Sequence, residues 1–208
     1  MKNKALFYLL ISGFILLHFC ACKSDDVPEP AKVYRYSETV TVDGRQRTYT
    51  LNLPPNYYES SGFSLIIAMH GGGGSAAQFE STNKLTEKAN AAGFIVVYPD
   101  GTGAIKTWNA GTCCGSAVTS NVNDVNFIST LIDQLVSKYK INAKKVYATG
   151  HSNGGMMSYR LACELPNKIA AIAPNGCTMV ITQNCNPSRP VPVLHMHSKL
   201  DQHVVYTG

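Results

Sequence analysis

The sequence lacks the features that would indicate a nucleic-acid, metal or nucleotide site. Only 15% of its 208 residues are charged, and no basic run stands out, so nucleic acid is not an expected partner. No spacing of cysteine and histidine matches a zinc site, so we expect no metal, and nothing predicts a cofactor. No glycine-rich segment continues into Gly-Lys-Ser/Thr, which excludes a P-loop. The apolar fraction of 45% is typical of a globular domain with a substantial core rather than a disordered chain.

Residues 1–22 resemble an export signal. Lys2 and Lys4 precede an apolar run from Ala5 to Leu17, which has the length of a signal peptide and is short for a membrane span. The small residue Ala21 then precedes Cys22, as in a bacterial lipoprotein signal, where that cysteine is lipidated after cleavage. Cys20 is a poorer candidate for the same role, and an ordinary secretory signal cleaved nearby is the alternative.

The segment after the signal is polar and rich in proline. Residues 23–35 contain Lys23-Ser24-Asp25-Asp26 and Val27-Pro28-Glu29-Pro30, which predict a tether. We therefore expect a bacterial protein with a folded domain over residues 36–208. It is either secreted or held at the cell surface or outer membrane by a lipid anchor.

Export makes disulfides chemically accessible, and five cysteines follow Cys22. They are Cys113, Cys114, Cys163, Cys177 and Cys185. Their number is odd, so one is free or has its partner elsewhere. Three pairings remain open: Cys177 with Cys185, one of the neighbours Cys113 and Cys114 with Cys163, or the two neighbours with each other.

Buried strands alternate with helices along the domain, which predicts an α/β fold with a mostly parallel sheet and helices on both faces. An antiparallel hairpin around Asp43-Gly44 comes first. The remaining predicted strands are at 64–69, 94–98, 145–149, 169–173 and 191–196. Helices are predicted at 76–92, from a cap at Asn123 or Asp124 to about 139, and from the Gly150–Gly155 segment to about 164.

The motif Gly150-His151-Ser152-Asn153-Gly154 lies between a buried strand and a helix, the context of a nucleophile elbow. A serine on so tight a turn needs glycines two residues before and after it, because side chains would collide there. We therefore predict that Ser152 is a nucleophile and that the N–H of Asn153 points at a substrate carbonyl oxygen.

A glycine-rich loop, His70-Gly71-Gly72-Gly73-Gly74, follows a strand that precedes the elbow by two strands. This is where the second N–H of an oxyanion hole is expected, with Gly72 or Gly73 as the donor. His70 itself is expected to have a structural, hydrogen-bonding role.

The acid and base of a triad should follow the serine in the order acid, then histidine. Asp201 comes directly after the predicted strand at 191–196 and is the predicted acid; a surface turn is the alternative. The base should lie on a loop after one more strand and helix. His203 is too close to Asp201, His195 and His197 fall in the predicted strand, and His151 turns away from the serine. We therefore expect the C-terminal strand and histidine loop to be missing, and this chain alone to turn over substrate negligibly.

Seven segments together resemble the polyhydroxybutyrate depolymerase and feruloyl esterase group, which are secreted serine esterases of the α/β-hydrolase fold. The resemblance covers residues 36–208 and is carried by residues 53–57, 70–73, 98–101, 108–115, 123–127, 150–157 and 193–197. It implies that Ser152 is the nucleophile, Asp201 the triad acid, and Gly72 with Asn153 the oxyanion hole. Two departures are Ser198-Lys199-Leu200 in place of a glycine-containing turn, and Asn123 where an acidic residue is common. Trp108 is either a wall of the substrate pocket or a core residue.

These observations predict a serine hydrolase of carboxylic esters, either polyhydroxybutyrate depolymerase-like or a feruloyl or acetyl esterase of plant polysaccharide. The expected partner is therefore a polyester or a polysaccharide-linked ester. Another hydrolase on the same fold, such as a peptidase or a dienelactone-type hydrolase, is an alternative. An alternative of another class is a non-catalytic surface binding module on a degenerate hydrolase.

Overall fold

A single twisted sheet organises the part of the chain that our computed structural model describes, residues 31–181 and 184–207. Its strands are β1 (Arg35–Val42), β2 (Arg45–Asn52), β3 (Phe63–Met69), β4 (Ile95–Pro99), β5 (Ile141–His151) and β6 (Ala171–Asn175). Their order across the sheet is β1-β2-β4-β3-β5-β6. The pairs β1/β2 and β2/β4 are antiparallel, and β4, β3, β5 and β6 run parallel to one another. The predicted mostly parallel α/β sheet is confirmed.

The hairpin of β1 and β2 turns at Asp43 and Gly44, which both have positive φ, 51° and 72°. Two consecutive positive φ values define the type I′ turn, whose twist matches that of the flanking strands. The predicted hairpin at this dipeptide is therefore confirmed.

Five helices accompany the strands in the described part of the chain. They are α1 (Ala76–Asn83), α2 (Leu85–Ala92), α3 (Gly115–Thr119), α4 (Asp124–Lys138) and α5 (Asn153–Glu164). The prediction of one helix over residues 76–92 is wrong, because Lys84 adopts a left-handed φ of 55° and separates α1 from α2. The Asn83 side chain accepts the Leu85 N–H at 2.9 Å and replaces a helical bond at this point.

The helices cover both faces of the sheet, as the alternating side chains of β4 show. Val96 and Tyr98 pack with Ala76 and Ala89 of the α1–α2 pair. Ile95 and Val97 belong to the larger core on the opposite face, which includes the apolar side of α4 and the inner side of α5. The core thus lies on both sides of the strands that carry the elbow and the glycine-rich loop.

The predicted strand at 191–196 is only partly formed. Val193 bridges Ile172 and Met196 bridges Asn175, each in parallel, but no continuous ladder develops. The Leu194 N–H donates to the Ile172 carbonyl and the Met196 N–H to the Pro174 carbonyl, but Pro174 of β6 has no N–H to donate back between these two bonds, so the ladder is interrupted there. The segment still runs along β6 and carries the chain toward Asp201.

The disulfide pairing follows one of the three alternatives and adds a pair that sequence reasoning did not consider. Cys113 is bonded to Cys114 and Cys163 to Cys185. The pairings of Cys177 with Cys185 and of Cys113 or Cys114 with Cys163 are wrong. Cys177 is instead a buried free thiol. A Cβ added to Gly155 would lie only 2.6 Å from the Cys177 sulfur, so the thiol packs directly against that glycine.

The predicted export signal, the lipidation site Cys22 and residues 23–30 of the tether lie outside the described residues. Within residues 31–181 and 184–207, no helix has the length and hydropathy to cross a membrane.

Candidate active site

Ser152 lies at the junction of β5 and α5 in a strained backbone conformation. Its φ is 51° and its ψ is −120°, in a region that residues with a side chain rarely occupy. The Ser152 N–H donates to the Asn175 carbonyl at 2.9 Å, which fixes the turn against the end of β6. The strand, the sharp turn and the helix predicted from the sequence are therefore present.

The glycines around Ser152 are required by close backbone packing. A Cβ added to Gly154 would lie 2.3 Å from the Met69 carbonyl oxygen and 2.5 Å from that of His70. A Cβ added to Gly150 would lie 2.4 Å from the Gly154 carbonyl carbon. Real Cβ atoms do not approach this closely, so the first turn of α5 can rest on the end of β3 only with glycine at both positions.

The glycine-rich loop lies beside the elbow because β3 and β5 are neighbours, with Met69 paired to Gly150. A Cβ on Gly71 would be 3.5 Å from the Ser152 Cβ, and one on Gly72 would be 4.0 Å from the Asn153 Cβ. The Gly73 N–H donates to the Lys106 carbonyl at 2.8 Å, so it is already engaged. The Gly72 N–H donates to no group among the described residues, which favours Gly72 over Gly73 as the donor.

Asn153 likewise has an N–H with no acceptor among the described residues. It is the first residue of α5, and the N–H groups of a first helical turn have no partner within the helix. They also carry the positive end of the helix dipole. The structure thus brings Ser152, Gly72 and Asn153 together, and the N–H groups of Gly72 and Asn153 have no acceptor among the described residues.

His70 is fully buried behind the glycine-rich loop. Its Nε2 accepts the Gly101 N–H at 2.9 Å, so its Nδ1 carries the proton and donates to the Gly71 carbonyl at 2.7 Å. Burial lowers the pKa of His70 and keeps the imidazole neutral. This geometry agrees with the predicted structural role.

Asp201 lies beside the elbow on the segment that follows Met196. A Cβ on Gly176 would be 3.6 Å from Asp201 Oδ2 and 3.1 Å from His151 Cε1, so both side chains flank Gly176. Asp201 Oδ1 accepts the N–H groups of His203 and Val204, each at 2.9 Å. The Val204 and His203 N–H groups lower the pKa of Asp201 and keep the carboxylate ionised.

No histidine of the described residues hydrogen-bonds to the Ser152 oxygen. His151 Nδ1 is 3.1 Å from Asn175 Oδ1, and His195 Nδ1 is 2.8 Å from the Tyr159 hydroxyl. His197 Nε2 donates to the Val204 carbonyl at 2.8 Å and is 3.3 Å from Asp201 Oδ2. The imidazoles of His151, His195 and His197 thus have local partners, as the sequence suggested for His195 and His197.

Trp108 lies in the core rather than at the surface. None of its surface is exposed, and its ring stacks on Phe127 with a centroid separation of 6.5 Å. Its indole Nε1–H donates to the His70 carbonyl at 2.9 Å. The interpretation of Trp108 as a pocket wall is therefore not supported, because a side chain without exposed surface cannot contact a substrate.

Sequence reasoning missed a buried ion pair behind the site. Arg47 Nη2 lies 2.8 Å from Asp124 Oδ1, and the two side chains are 4% and 0% exposed. The sequence indicates Asp124 only as an alternative helix cap, whereas Asn123 caps α4 by accepting the Asn126 N–H. The sequence pattern that could have indicated this ion pair is the alternation of side chains along β2, which places Arg47 on the same buried face as Tyr49 and Leu51. A cation on that face needs an acidic partner.

Comparisons with known proteins agree with this geometry. The family model described as Esterase PHB depolymerase matches residues 47–202. "Feruloyl esterase B" of Piromyces equi is 34% identical over 168 residues, which are 78% of this chain and 30% of that protein. "Bifunctional acetylxylan esterase/xylanase XynS20E" of Neocallimastix patriciarum is 32% identical over 155 residues, 74% of this chain and 21% of that protein.

The solved structure of an acetyl xylan esterase from Aspergillus awamori shares the fold. Its TM-score is 0.60 at 21% identity, covering 74% of this chain and 57% of that one. The chain spans less than a third of the length of the two relatives named above. The elbow, the adjacent glycine-rich loop and the α/β-hydrolase sheet thus coincide with a family model that covers most of the chain, and the chain belongs to the esterase PHB depolymerase family.

Proposed function

We propose that this protein hydrolyses carboxylic esters with Ser152 as its nucleophile. The observation that carries the proposal is the strained Ser152 backbone, with a φ of 51°, beside Gly72 and Asn153, whose N–H groups have no acceptor in the described part of the chain. A strained serine facing two preorganised donors is suited to attack on an ester carbonyl and to binding the resulting oxyanion.

The mechanism follows from the positions of these groups. The Ser152 oxygen attacks the carbonyl carbon, and the carbonyl oxygen becomes an anion held by the Gly72 and Asn153 N–H groups. When the intermediate collapses, the bond to the alcohol oxygen breaks and the alcohol leaves with the proton taken from Ser152; water then attacks the acyl-serine, which releases the acid and returns a proton to Ser152. We assign Asp201 the role of orienting the histidine that takes the serine proton, because its carboxylate is kept ionised beside the elbow.

For the substrate, we propose an ester linked to plant polysaccharide, with a feruloyl or acetyl acyl group. The support is that two relatives that align with three quarters of this chain are named for feruloyl and acetylxylan esterase activity. The second candidate is a hydroxyalkanoate polyester, favoured by the description of the family model that matches residues 47–202.

The test uses the complete gene product and its Ser152→Ala variant, with Ser137→Ala as the matched control. Ser137 lies on the exposed surface of α4, bonded only to the Gln134 carbonyl. We expect Ser152→Ala to lose on the order of 10⁶ in kcat, as when the nucleophile of a serine hydrolase is removed, and Ser137→Ala to match the wild type. Undiminished turnover in Ser152→Ala would refute the nucleophile assignment.

The substrate class is decided by product release under the same conditions. Ferulate from methyl ferulate, acetate from acetylated xylan and 3-hydroxybutyrate from its oligomers are each quantified by chromatography. Release of ferulate or acetate alone supports the polysaccharide ester, and release of 3-hydroxybutyrate alone supports the polyester. Tight xylan binding without turnover or fluorophosphonate labelling of Ser152 would favour a binding module instead.

We further propose that the protein is exported and anchored by lipid on Cys22. The support is the sequence of residues 1–22 followed by the proline-containing segment at 23–35. Mass spectrometry of the mature N-terminus should find acylated Cys22, and Cys22→Ser should move the protein out of the membrane fraction. An unmodified N-terminus at another residue would contradict the anchor.

A further inference from the structure

The four residues Lys106–Asn109, which we call the brace, contact both halves of the proposed oxyanion hole. One half is the elbow with Asn153, and the other is the glycine-rich loop with Gly72. These halves follow different strands, β5 and β3, and the spacing of their two N–H groups decides how well they bind one oxygen.

The brace holds the elbow half through the side chain of Asn153. Asn153 Oδ1 accepts the Trp108 N–H at 2.7 Å, and Asn153 Nδ2 donates to the Trp108 carbonyl at 3.0 Å. Asn153 is 1% exposed, so water does not compete with this pair of bonds. A primary amide satisfies a backbone N–H and C=O together, which fixes the first residue of α5 in one orientation.

The brace holds the glycine-rich half through different atoms. The Trp108 indole Nε1–H donates to the His70 carbonyl at 2.9 Å, and the Lys106 carbonyl accepts the Gly73 N–H at 2.8 Å. These bonds bracket Gly71 and Gly72 on both sides. A Cβ on Gly72 would in addition lie 3.8 Å from Thr107 Cγ2, so the brace also packs against that residue.

The brace is itself held by the buried ion pair. Asp124 Oδ2 accepts the Asn109 N–H at 2.8 Å while its Oδ1 binds Arg47. The Arg47 guanidinium carbon lies 3.8 Å from the centre of the Phe127 ring, on which Trp108 stacks. The brace is thus attached to β2 and α4, which do not contribute to the oxyanion hole.

We propose that Trp108 is a positioning residue that sets the spacing between the Gly72 and Asn153 donors. This inference rests on the proposed esterase function and deepens it. Trp108 bonds Asn153 through its backbone and His70 through its indole, so one residue ties the two halves together. It acts on the transition state without touching the substrate.

The experiment compares Trp108→Phe with Tyr98→Phe in the complete gene product. Trp108→Phe removes the indole N–H and keeps an aromatic ring. Tyr98→Phe removes the hydrogen bonds of another buried aromatic side chain on the opposite face of the sheet, where the Tyr98 hydroxyl donates to Asn83 Oδ1 at 3.3 Å and lies 3.0 Å from the Thr86 hydroxyl. We expect Trp108→Phe to lower kcat at least about 10-fold with KM within about twofold, because displacing catalytic groups by a fraction of an ångström has effects of this size.

A second variant and a second readout keep the test decisive. Asn153→Asp preserves shape but places an oxygen against the Trp108 carbonyl, and we expect the same selective loss of kcat. Compared with Tyr98→Phe, amide hydrogen exchange should be faster at residues 70–74 in Trp108→Phe, which loses the bond to the His70 carbonyl, and at residues 152–156 in Asn153→Asp, which loses the bond to the Trp108 carbonyl. This readout needs no turnover, so it tests the brace even if the wild-type protein hydrolyses no ester. Such a lack of hydrolysis would refute the proposed function but not the role of the brace. The proposal is overturned if kcat and exchange at both segments match those of Tyr98→Phe.

Discussion

Replacing Asp124 with asparagine should destabilise the fold far more than a typical conservative change. Asp124 is fully buried and accepts from Arg47 Nη2 and from the Asn109 N–H, both at 2.8 Å. An asparagine has one oxygen for these two donors, and its NH₂ group would face one of them. The Arg47 guanidinium, 4% exposed, would be left without a countercharge.

The size of the effect follows from that uncompensated charge. Removing one partner of a buried ion pair costs about 3–5 kcal/mol of the free energy of unfolding. In a domain of this size, about 1 kcal/mol lowers Tm by roughly 2–4 °C, so we expect a decrease on the order of 10 °C. Urea unfolding followed by circular dichroism measures the free energy, and a thermal scan gives Tm.

A double variant separates the cost of the unpaired charge from the value of the pair. Arg47→Met with Asp124→Leu removes both charges and leaves none unpaired, so it should be less destabilised than Asp124→Asn alone. A loss below about 1 kcal/mol for Asp124→Asn, within the range of ordinary surface changes, would refute the reasoning. So would a double variant that is less stable than the single one.

Two further predictions concern titratable groups. The Val204 and His203 N–H groups lower the pKa of Asp201 in the folded state, so its stabilising contribution is present above the ordinary value of 3.8 and is lost as the pH falls below it. The Tm difference between wild type and Asp201→Asn should therefore shrink as pH is lowered from 6 to about 3, measured by thermal scans, and a constant difference would contradict it. Burial raises the pKa of Cys177 to about 11, so the native protein should resist iodoacetamide at pH about 8 and react after unfolding, because the thiolate is the nucleophile. Rapid alkylation of Cys177 in the native protein would show that its thiol is accessible or ionised.

Local sequence patterns predicted the elements that carry the elbow well. The Asp43-Gly44 turn, the apolar strands and the Gly150–Gly154 motif each depend on backbone sterics or burial of neighbouring residues. The boundary between α1 and α2 was not predicted, because it depends on one Asn83 side chain that replaces a helical hydrogen bond. Propensity over residues 76–92 does not contain that information.

The other missed features depend on contacts between residues far apart in the chain. Arg47 and Asp124 are adjacent only because β2 and α4 pack together, and the Cys163–Cys185 bond depends on where the segment after β6 returns to α5. The sequence allows two interpretations of Trp108, and its complete burial against Phe127 distinguishes them. The predicted roles of Ser152, Asp201, Gly72 and Asn153 stay predictions until the variants are assayed.

The pairing of β3 with β5 has a consequence for when the site comes into existence during folding. Met69 pairs with Gly150, about 80 residues later, and such non-local contacts form slowly because a long loop must close first. During synthesis on a ribosome, the glycine-rich loop emerges well before Ser152, so β3 cannot pair with β5 until the later segment has been made. Reactivity of Ser152 toward a fluorophosphonate would thus report the completion of the central sheet, which makes the nucleophile a built-in probe of late folding.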